Sequence, residues 1–301
     1  MASLLSVSDI KEDVGYILDL ASKIKAGEIE DKPLEGKTLA MIFQKSSTRT
    51  RISFDVGMYE LGGRAIFLSS NDLQMGRGEP ISDTAKVLSR FVDGIMIRAV
   101  EHEDVVELAR YSDVPVISGL TNIEHPCQAL ADMLTIKEHL GQWKGKKLCF
   151  VGDGNNVCNS LLLIAPLLGM DMSVLCPEDY QPKEDILKRA LDYACENNTT
   201  ITVTDDIKEA LSGADAVYTD VWVSMGDEAE SQKRLKDLRP YQVNSEMMAL
   251  TGKKSIFMHC LPAIRGEEVT SDVIDGECSV IYDEAENRKH AQKAVLYYYM
   301  K

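Results

Sequence analysis

The sequence predicts an α/β protein built from two parallel-sheet α/β domains, and three observations carry that expectation. Short apolar runs alternate with segments of helical periodicity along the chain. The alternation begins afresh at Lys147-Leu148-Cys149-Phe150-Val151, which meets a Gly-Asn turn and then an apolar helical segment. A length of 301 residues favours two domains over one. Taken in order, strands are expected near 37–43, 64–69, 94–100 and 114–119, with helices near 48–61, 82–91, 102–111 and 126–140. The second set has strands near 147–151, 172–176, 200–203, 216–221 and 255–259, with a helix over 158–168. Strands that alternate with helices imply parallel pairing, because each helix carries the chain back to the same end of the sheet. The junction is expected in Gly141-Gln142-Trp143-Lys144-Gly145-Lys146, and the amphipathic segment 284–299 could pack on either half.

Lys and Arg number 33 against 48 Asp and Glu, a formal charge of −15. That balance argues against general affinity for nucleic acid or an anionic membrane, and an anionic ligand would need a local cationic pocket. No apolar run approaches membrane-spanning length, and the residues after Met1 lack signal-peptide features, so a cytoplasmic location is expected. Seven scattered cysteines without a C-x-x-C pair argue against disulfides and a structural zinc site.

The most informative stretch is Phe43-Gln44-Lys45-Ser46-Ser47-Thr48-Arg49-Thr50-Arg51, where hydroxyls and cations crowd the point at which an apolar strand gives way to a helix. Ile52, Val56 and Tyr59 recur at helical spacing until Gly62-Gly63 ends that helix. Free backbone N–H groups and the positive end of the macrodipole favour an anion there, and phosphate suits best. Arg49 and Arg51 in a first turn oppose the dipole unless a bound anion compensates them. An N-cap hydroxyl beside two solvated arginines is the plainer reading, but capping accounts for one hydroxyl only.

Gly152-Asp153-Gly154-Asn155-Asn156-Val157 suggests a dinucleotide turn, yet Val157 occupies the place of the third glycine. It reads equally as a tight strand-to-helix turn capped by Asn155 or Asn156, or as a polar ligand site at the carboxyl end of a parallel strand. In Asn122-Ile123-Glu124-His125-Pro126-Cys127-Gln128, Pro126 fits a first helical position, His125 stands at the cap and Gln128 lies near it. Imidazole and carboxamide could orient a carbonyl and its amino group; a capping His with a surface Gln is the plainer alternative. Arg98 ends the run Gly94-Ile95-Met96-Ile97, where a cation more often serves a ligand cleft than the core.

Together these segments resemble the aspartate/ornithine carbamoyltransferase family over nearly the whole chain. Ser47-Thr48-Arg49-Thr50-Arg51 is similar to its carbamoyl phosphate loop, Arg98 falls at its second arginine, and His125-Pro126-Cys127-Gln128 matches its His-Pro-x-Gln signature. Gln74-Met75-Gly76-Arg77-Gly78-Glu79 looks like the loop that carries Gln74 to a neighbouring subunit's site, which implies a homotrimer or a multiple of trimers. Asp220-Val221-Trp222-Val223-Ser224-Met225-Gly226 and His259-Cys260-Leu261-Pro262 resemble the ornithine branch. Ornithine's α-ammonium, α-carboxylate and distant amine suit one acidic residue with neutral polar groups better than an arginine cluster. The resemblance implies a carbamoyl phosphate-binding domain over 1–140, an ornithine-binding domain over 141–283, and an active site in the cleft between them. It also implies that a final helix, 284–301, packs back on the first domain. Ile264, where many relatives carry His, and Pro80, where a hydroxyl residue is usual, depart from the pattern.

By the same resemblance, carbamoyl phosphate is held by Ser47, Thr48, Arg49, Thr50, Arg98 and a neighbour's Gln74. His125, Pro126, Cys127, Gln128, Cys260, Leu261 and Arg288 complete that set. Asn156, Asp220, Ser224 and Met225 would hold L-ornithine. The implied chemistry is attack of the neutral δ-amine on the carbamoyl carbon, through a tetrahedral intermediate that expels phosphate and leaves L-citrulline. Arg49, Arg98, His125, Gln128, Asp220 and Cys260 are the expected catalytic residues, with no metal or organic cofactor. Donors on Thr50, Arg49, Arg98 and His125 would meet the growing negative charge, and Cys260, coupled to Asp220, would hydrogen-bond the amine. Carbamoyl phosphate is expected to bind first and organise the cleft for ornithine. The alternatives are transfer to another amine such as putrescine or aspartate, a regulatory protein that keeps the phosphate pocket, and a dinucleotide-dependent oxidoreductase. Intact Arg49, His125, Gln128 and Cys260 argue against the second, and Val157 against the third.

Overall fold

A computed structural model describes residues 2–70, 73–223 and 230–301. The chain divides into two compact units, one of Met1–Leu134 with Glu286–Lys301, the other of Thr135–Ala285.

Unit 1 is built on β1 (Thr38–Phe43), β2 (Arg64–Ser69), β3 (Gly94–Arg98) and β4 (Val116–Leu120), all parallel, in the order β2-β1-β3-β4. Every residue of β1 and β3 is buried, which is why both read as unbroken apolar runs and not as an alternation. Phe43 pairs with Arg98, so these two strands end side by side at the carboxyl edge. The order reverses between them, the position at which open α/β sheets offer a crevice to ligands. The helices are α1 (Val14–Lys25), α2 (Thr48–Glu60), α3 (Ile81–Leu88), α4 (His102–Tyr111) and the start of α5 (Pro126–Leu140).

Two features of unit 1 differ from the sequence expectation. The spacing of Ile52, Val56 and Tyr59 located α2, but that face points outward: Ile52 is 55% and Tyr59 79% exposed. The buried face carries Thr50, Ser53, Phe54, Gly57 and Met58, because the hydroxyls of Thr50 and Ser53 take part in a buried hydrogen-bond network. Helix α1 lies where no element was expected, although Val14, Ile17, Leu18, Ala21 and Ile24 are buried at helical spacing.

Unit 2 contains β5 (Lys147–Val151), β6 (Asp171–Leu175), β7 (Ile201–Thr204), β8 (Ala216–Thr219) and β9 (Ile256–Met258), again all parallel, in the order β7-β6-β5-β8-β9. Here the order reverses between β5 and β8. Helices α6 (Asn156–Leu167), α7 (Glu184–Asn197), α8 (Ile207–Leu211), α9 (Ser231–Leu238), α10 (Ser245–Ala249) and α11 (Ser271–Ile274) follow, and α12 (Ile281–Met300) closes the chain. Cys149, Val151, Val217 and Phe257 of the sheet pack with Val243, Val269 and Ile274 in its core. Among the described residues no helix is long and apolar enough to cross a membrane.

Candidate active site

In unit 1 the site starts from the turn between β1 and α2. Ser47 is extended and caps α2, its hydroxyl accepting from the Thr50 N–H at 3.3 Å. The first turn of α2 holds no acidic residue. Of its two arginines, Arg51 is drawn away, its guanidinium 3.8 Å from the centre of the Phe67 ring. Arg49 is half-buried and acts electrostatically on His125. Thr50 is fully buried, and its Oγ1 accepts from Arg288 Nη2 at 3.2 Å. Arg288 Nη1 donates to Gln128 Oε1 at 2.7 Å and its Nε to Gln292 Oε1 at 3.0 Å, while Gln128 Nε2 donates to Asp132 Oδ1 at 2.7 Å.

His125 immediately precedes α5, and its carbonyl accepts from the N–H groups of Gln128 and Ala129 at 3.0 and 3.2 Å. Its ring is buried, and burial holds its pKa well below the ordinary 6.5. The charges of Arg288, Arg98 and Arg49 push the same way, so three guanidinium groups stand within electrostatic reach of a neutral imidazole. Arg98 is itself buried at the end of β3. The result is a cationic pocket in a chain of strongly negative charge, able to take a phosphate and to donate to a carbonyl oxygen beside it. The Cys127 thiol is buried and pushed up to about 12 by that burial, with Sγ donating to the Ser118 carbonyl, which leaves it unreactive. Gln74 is exposed, in the short 3-10 helix Gln74–Arg77.

In unit 2 the corresponding turn joins β5 to α6, and Asn155, not Asn156, is the cap. Its Oδ1 accepts from the N–H groups of Val157 and Cys158 at 3.0 and 3.1 Å, and its Nδ2 donates to Asp220 Oδ2 at 2.7 Å. The glycines have structural work to do. Gly152 has φ +123°, and a Cβ at Gly154 would lie 2.4 Å from the Pro182 nitrogen. Arg234 is buried against this turn, pairing with Asp153 and donating to the Trp222 carbonyl at 2.6 Å.

Asp220, just past β8, accepts from the Val221 N–H at 2.8 Å and from Cys260 Sγ at 3.1 Å. The segment that carries Cys260 is held by two fully buried carboxylates. Glu284 accepts from the His259 N–H at 2.9 Å and from the Tyr218 hydroxyl at 3.0 Å. Glu268 accepts from the Ile264 N–H at 2.7 Å and pairs with His259 Nε2 at 3.1 Å. His259 Nδ1 accepts from the Leu261 N–H at 2.9 Å, so the ring proton sits on Nε2 and is donated to Glu268. These contacts hold Leu261 at φ +57°, a conformation rare outside glycine. Asp220, His259 and Cys260 offer three ligand atoms within 4.8 Å of one another. Both ring nitrogens of His259 are already bonded, so coordination through that ring would break a contact that shapes the turn.

The structure thus brings together Ser47, Thr50, Arg49, Arg98, His125, Gln128 and Arg288 in unit 1, and Asp220 with Cys260 in unit 2. Asn156 opens α6 beside the capping Asn155, while Ser224 and Met225 lie outside the described residues. Sequence reasoning missed Asp132, Gln292, Glu268, Glu284 and the Asn155 contact to Asp220. A signal existed for Asp132, a carboxylate inside the apolar run Ala129-Leu130-Ala131-Asp132-Met133-Leu134, and for Gln292, four residues beyond Arg288.

Comparison with known proteins fits this division of labour. Residues 2–138 match the model described as the carbamoyl-P binding domain of aspartate/ornithine carbamoyltransferase, and residues 144–299 match its Asp/Orn binding domain. The chain is 72% identical over 301 residues, the full length of both, to ornithine carbamoyltransferase of Methanobrevibacter smithii. It is 60% identical to the enzyme of Methanothermobacter thermautotrophicus over 300 residues, which cover 100% of this chain and 99% of the other. The solved ornithine carbamoyltransferase of Pyrococcus furiosus superposes with a TM-score of 0.95 at 52% identity, covering 99% of this chain and 96% of the other. With both family models matched in order along a pair of parallel-sheet units, the chain belongs to the aspartate/ornithine carbamoyltransferase family.

Proposed function

We propose that the protein transfers the carbamoyl group of carbamoyl phosphate to the δ-amine of L-ornithine, giving L-citrulline and phosphate, in the service of arginine metabolism. The observation that carries this reading is the opposite sign of the two sites: guanidinium groups around a neutral His125 in one unit, and a carboxylate bonded to a thiol in the other. An aspartate acceptor would bring a second carboxylate, for which Asp220 is the wrong partner. The whole-length likeness to proteins named ornithine carbamoyltransferase supports the same choice.

In this mechanism Ser47, Thr48, Arg49 and Thr50 hold the phosphate at the start of α2, and Arg98, His125 and Arg288 donate toward the carbamoyl oxygen and phosphate. Gln128 and the Leu261 carbonyl accept from the carbamoyl N–H groups, and Pro126 and Cys127 contribute backbone that places them. Asp220, Asn156, Ser224 and the Met225 backbone hold the amino-acid head. The Cys260 thiol proton is directed at Asp220, so toward the amine its sulfur acts as an acceptor. The neutral amine attacks, the C–O bond to phosphate breaks, and the departing phosphate takes the amine proton. Preorganised donors of this kind each contribute on the order of a hundredfold or more to rate.

A homotrimer, with Gln74 serving a neighbour's site, belongs to the same reading. It is supported by the exposure of Gln74, by the sheet edge at β2, where Ile66 and Phe67 are each 38% exposed, and by the exposed Ile52 and Tyr59 of α2. A cytoplasmic site of action is supported by seven free cysteines. The test is product formation from carbamoyl phosphate with ornithine, aspartate and putrescine supplied separately, beside Arg49→Ala. Citrulline with ornithine alone, lost in the variant, is expected; product with another acceptor would overturn the unit 2 assignment.

A further inference from the structure

Asp132 belongs to no motif and takes no part in the chemistry above, yet its carboxylate is fully buried in α5, one turn beyond Gln128. It accepts from Gln128 Nε2 at 2.7 Å, and on its other side the same carboxamide accepts through Oε1 from Arg288 Nη1 at 2.7 Å. A carboxylate only accepts and a guanidinium only donates, so these neighbours admit one orientation of the Gln128 amide and exclude its flip. The network continues from Arg288 to Thr50 Oγ1 and Gln292 Oε1, and Ser53 Oγ donates to Gln292 Oε1 at 3.0 Å. All of these side chains are buried, where a misdirected dipole is costly.

We propose that Asp132 is a positioning residue that locks Gln128 with its carbonyl oxygen facing Arg288, so that a second lone pair of that oxygen receives the carbamoyl N–H. Without Asp132 only Arg288 opposes a turn of the amide, and any turn brings its NH2 toward the carbamoyl NH2, replacing a hydrogen bond by two opposed donors. This rests on the reading that Gln128 contacts the carbamoyl group. It predicts a selective fault: recognition of the carbamoyl end fails while recognition of the phosphate end survives.

The experiment is a double-mutant cycle in the full-length protein with Asp132→Ala, Gln128→Ala and the pair. It reads KM for carbamoyl phosphate, KM for ornithine and competitive inhibition by inorganic phosphate. Asp132→Ala should raise the carbamoyl phosphate KM about tenfold, the cost of one misplaced buried hydrogen bond, with phosphate inhibition and ornithine KM unchanged. The pair should be no worse than Gln128→Ala, because Asp132 acts through Gln128. Equal weakening of carbamoyl phosphate and phosphate, or losses that multiply in the pair, would overturn the proposal and leave Asp132 a general support of the pocket. If Gln128→Ala alone leaves the carbamoyl phosphate KM unchanged, the assignment of Gln128 as acceptor of the carbamoyl N–H is itself wrong, a result distinct from failure of Asp132→Ala. Should Asp132→Ala not fold, Asp132→Asn carries the test. It keeps the shape but offers a donor as well as an acceptor, so a smaller selective loss of about threefold is expected, and a loss shared by phosphate overturns the proposal.

Discussion

The turn from β1 into α2 and the turn from β5 into α6 are the same backbone device used for opposite charges. Each follows a central parallel strand at the point where its sheet reverses order, and each ends in a side chain that caps the helix, Ser47 in one and Asn155 in the other. Both helix starts carry the positive end of a helix dipole, so the backbone alone favours an anion at either. The neighbouring strand ends break the tie. β3 delivers Arg98 beside the first turn, whereas the residue after β8 is Asp220, which bonds the cap itself. A fold of this kind supplies two similar ledges, and the residue at the end of the adjoining strand contributes charge of opposite sign to each, with Arg49 and Arg288 adding to Arg98 at the first.

Breaking the cationic ledge should have the largest effect. Arg49→Ala is expected to lower kcat/KM for carbamoyl phosphate on the order of a thousandfold, as loss of a donor to developing negative charge does. Steady-state kinetics showing less than a tenfold change would remove Arg49 from the transition state.

Next comes the anionic ledge. Asp220→Asn should raise the ornithine KM about a hundredfold, because an ammonium loses its charged partner, while the carbamoyl phosphate KM holds. N-acetylornithine, which has no α-ammonium, sharpens the point. It should be a poor acceptor for the native chain, and Asp220→Asn should narrow the gap between the two acceptors. An unchanged ratio would mean that Asp220 does not read the ammonium.

Cys260→Ser should cost about tenfold in turnover or move the pH profile, since a smaller hydroxyl replaces a thiol bonded to Asp220 at 3.1 Å. An unaltered rate and profile would take Cys260 out of the mechanism.

The two caps should cost similar stability and different function. Ser47→Ala and Asn155→Ala are each expected to lose about 1 kcal/mol in urea unfolding. Asn155→Ala should in addition raise the ornithine KM, because its Nδ2 orients Asp220. A rise in the carbamoyl phosphate KM instead would contradict the separation of the two ledges.

The smallest effect concerns pH. Burial keeps His125 neutral in the folded chain well below 6.5, whereas an unfolded chain protonates it near that value. Between the two values the unfolded state binds the extra proton, so stability is lost as pH falls below about 6.5. His125→Gln should flatten that part of a stability-against-pH curve without abolishing it, because burial also lowers the pKa of His290. An identical slope in the variant would show that His125 is not buried as a neutral ring.

The sequence by itself determined the two parallel sheets and where most of the candidate site residues stand along the chain. Strands buried on both faces are apolar at all but their end positions, so β1, β3, β5 and β8 announce themselves as apolar runs, and each expected strand lies within two residues of an observed one. Hydroxyls and arginines at a helix start declare an anion site for an equally local reason, which is why Ser47, Thr50 and Arg49 were legible. Tertiary structure alone decided which face of α2 is buried, since periodicity locates a stripe but cannot say that Thr50 and Ser53 will be wanted inside by Arg288 and Gln292, more than two hundred residues away. It likewise decided that Asn155 meets Asp220, that Arg51 is spent on Phe67, and that Asp132, Glu268 and Glu284 orient the side chains around them. The physical reason is common to all of these. A buried polar group is tolerable only with a partner, and when that partner is brought by another segment of the chain no local pattern records it.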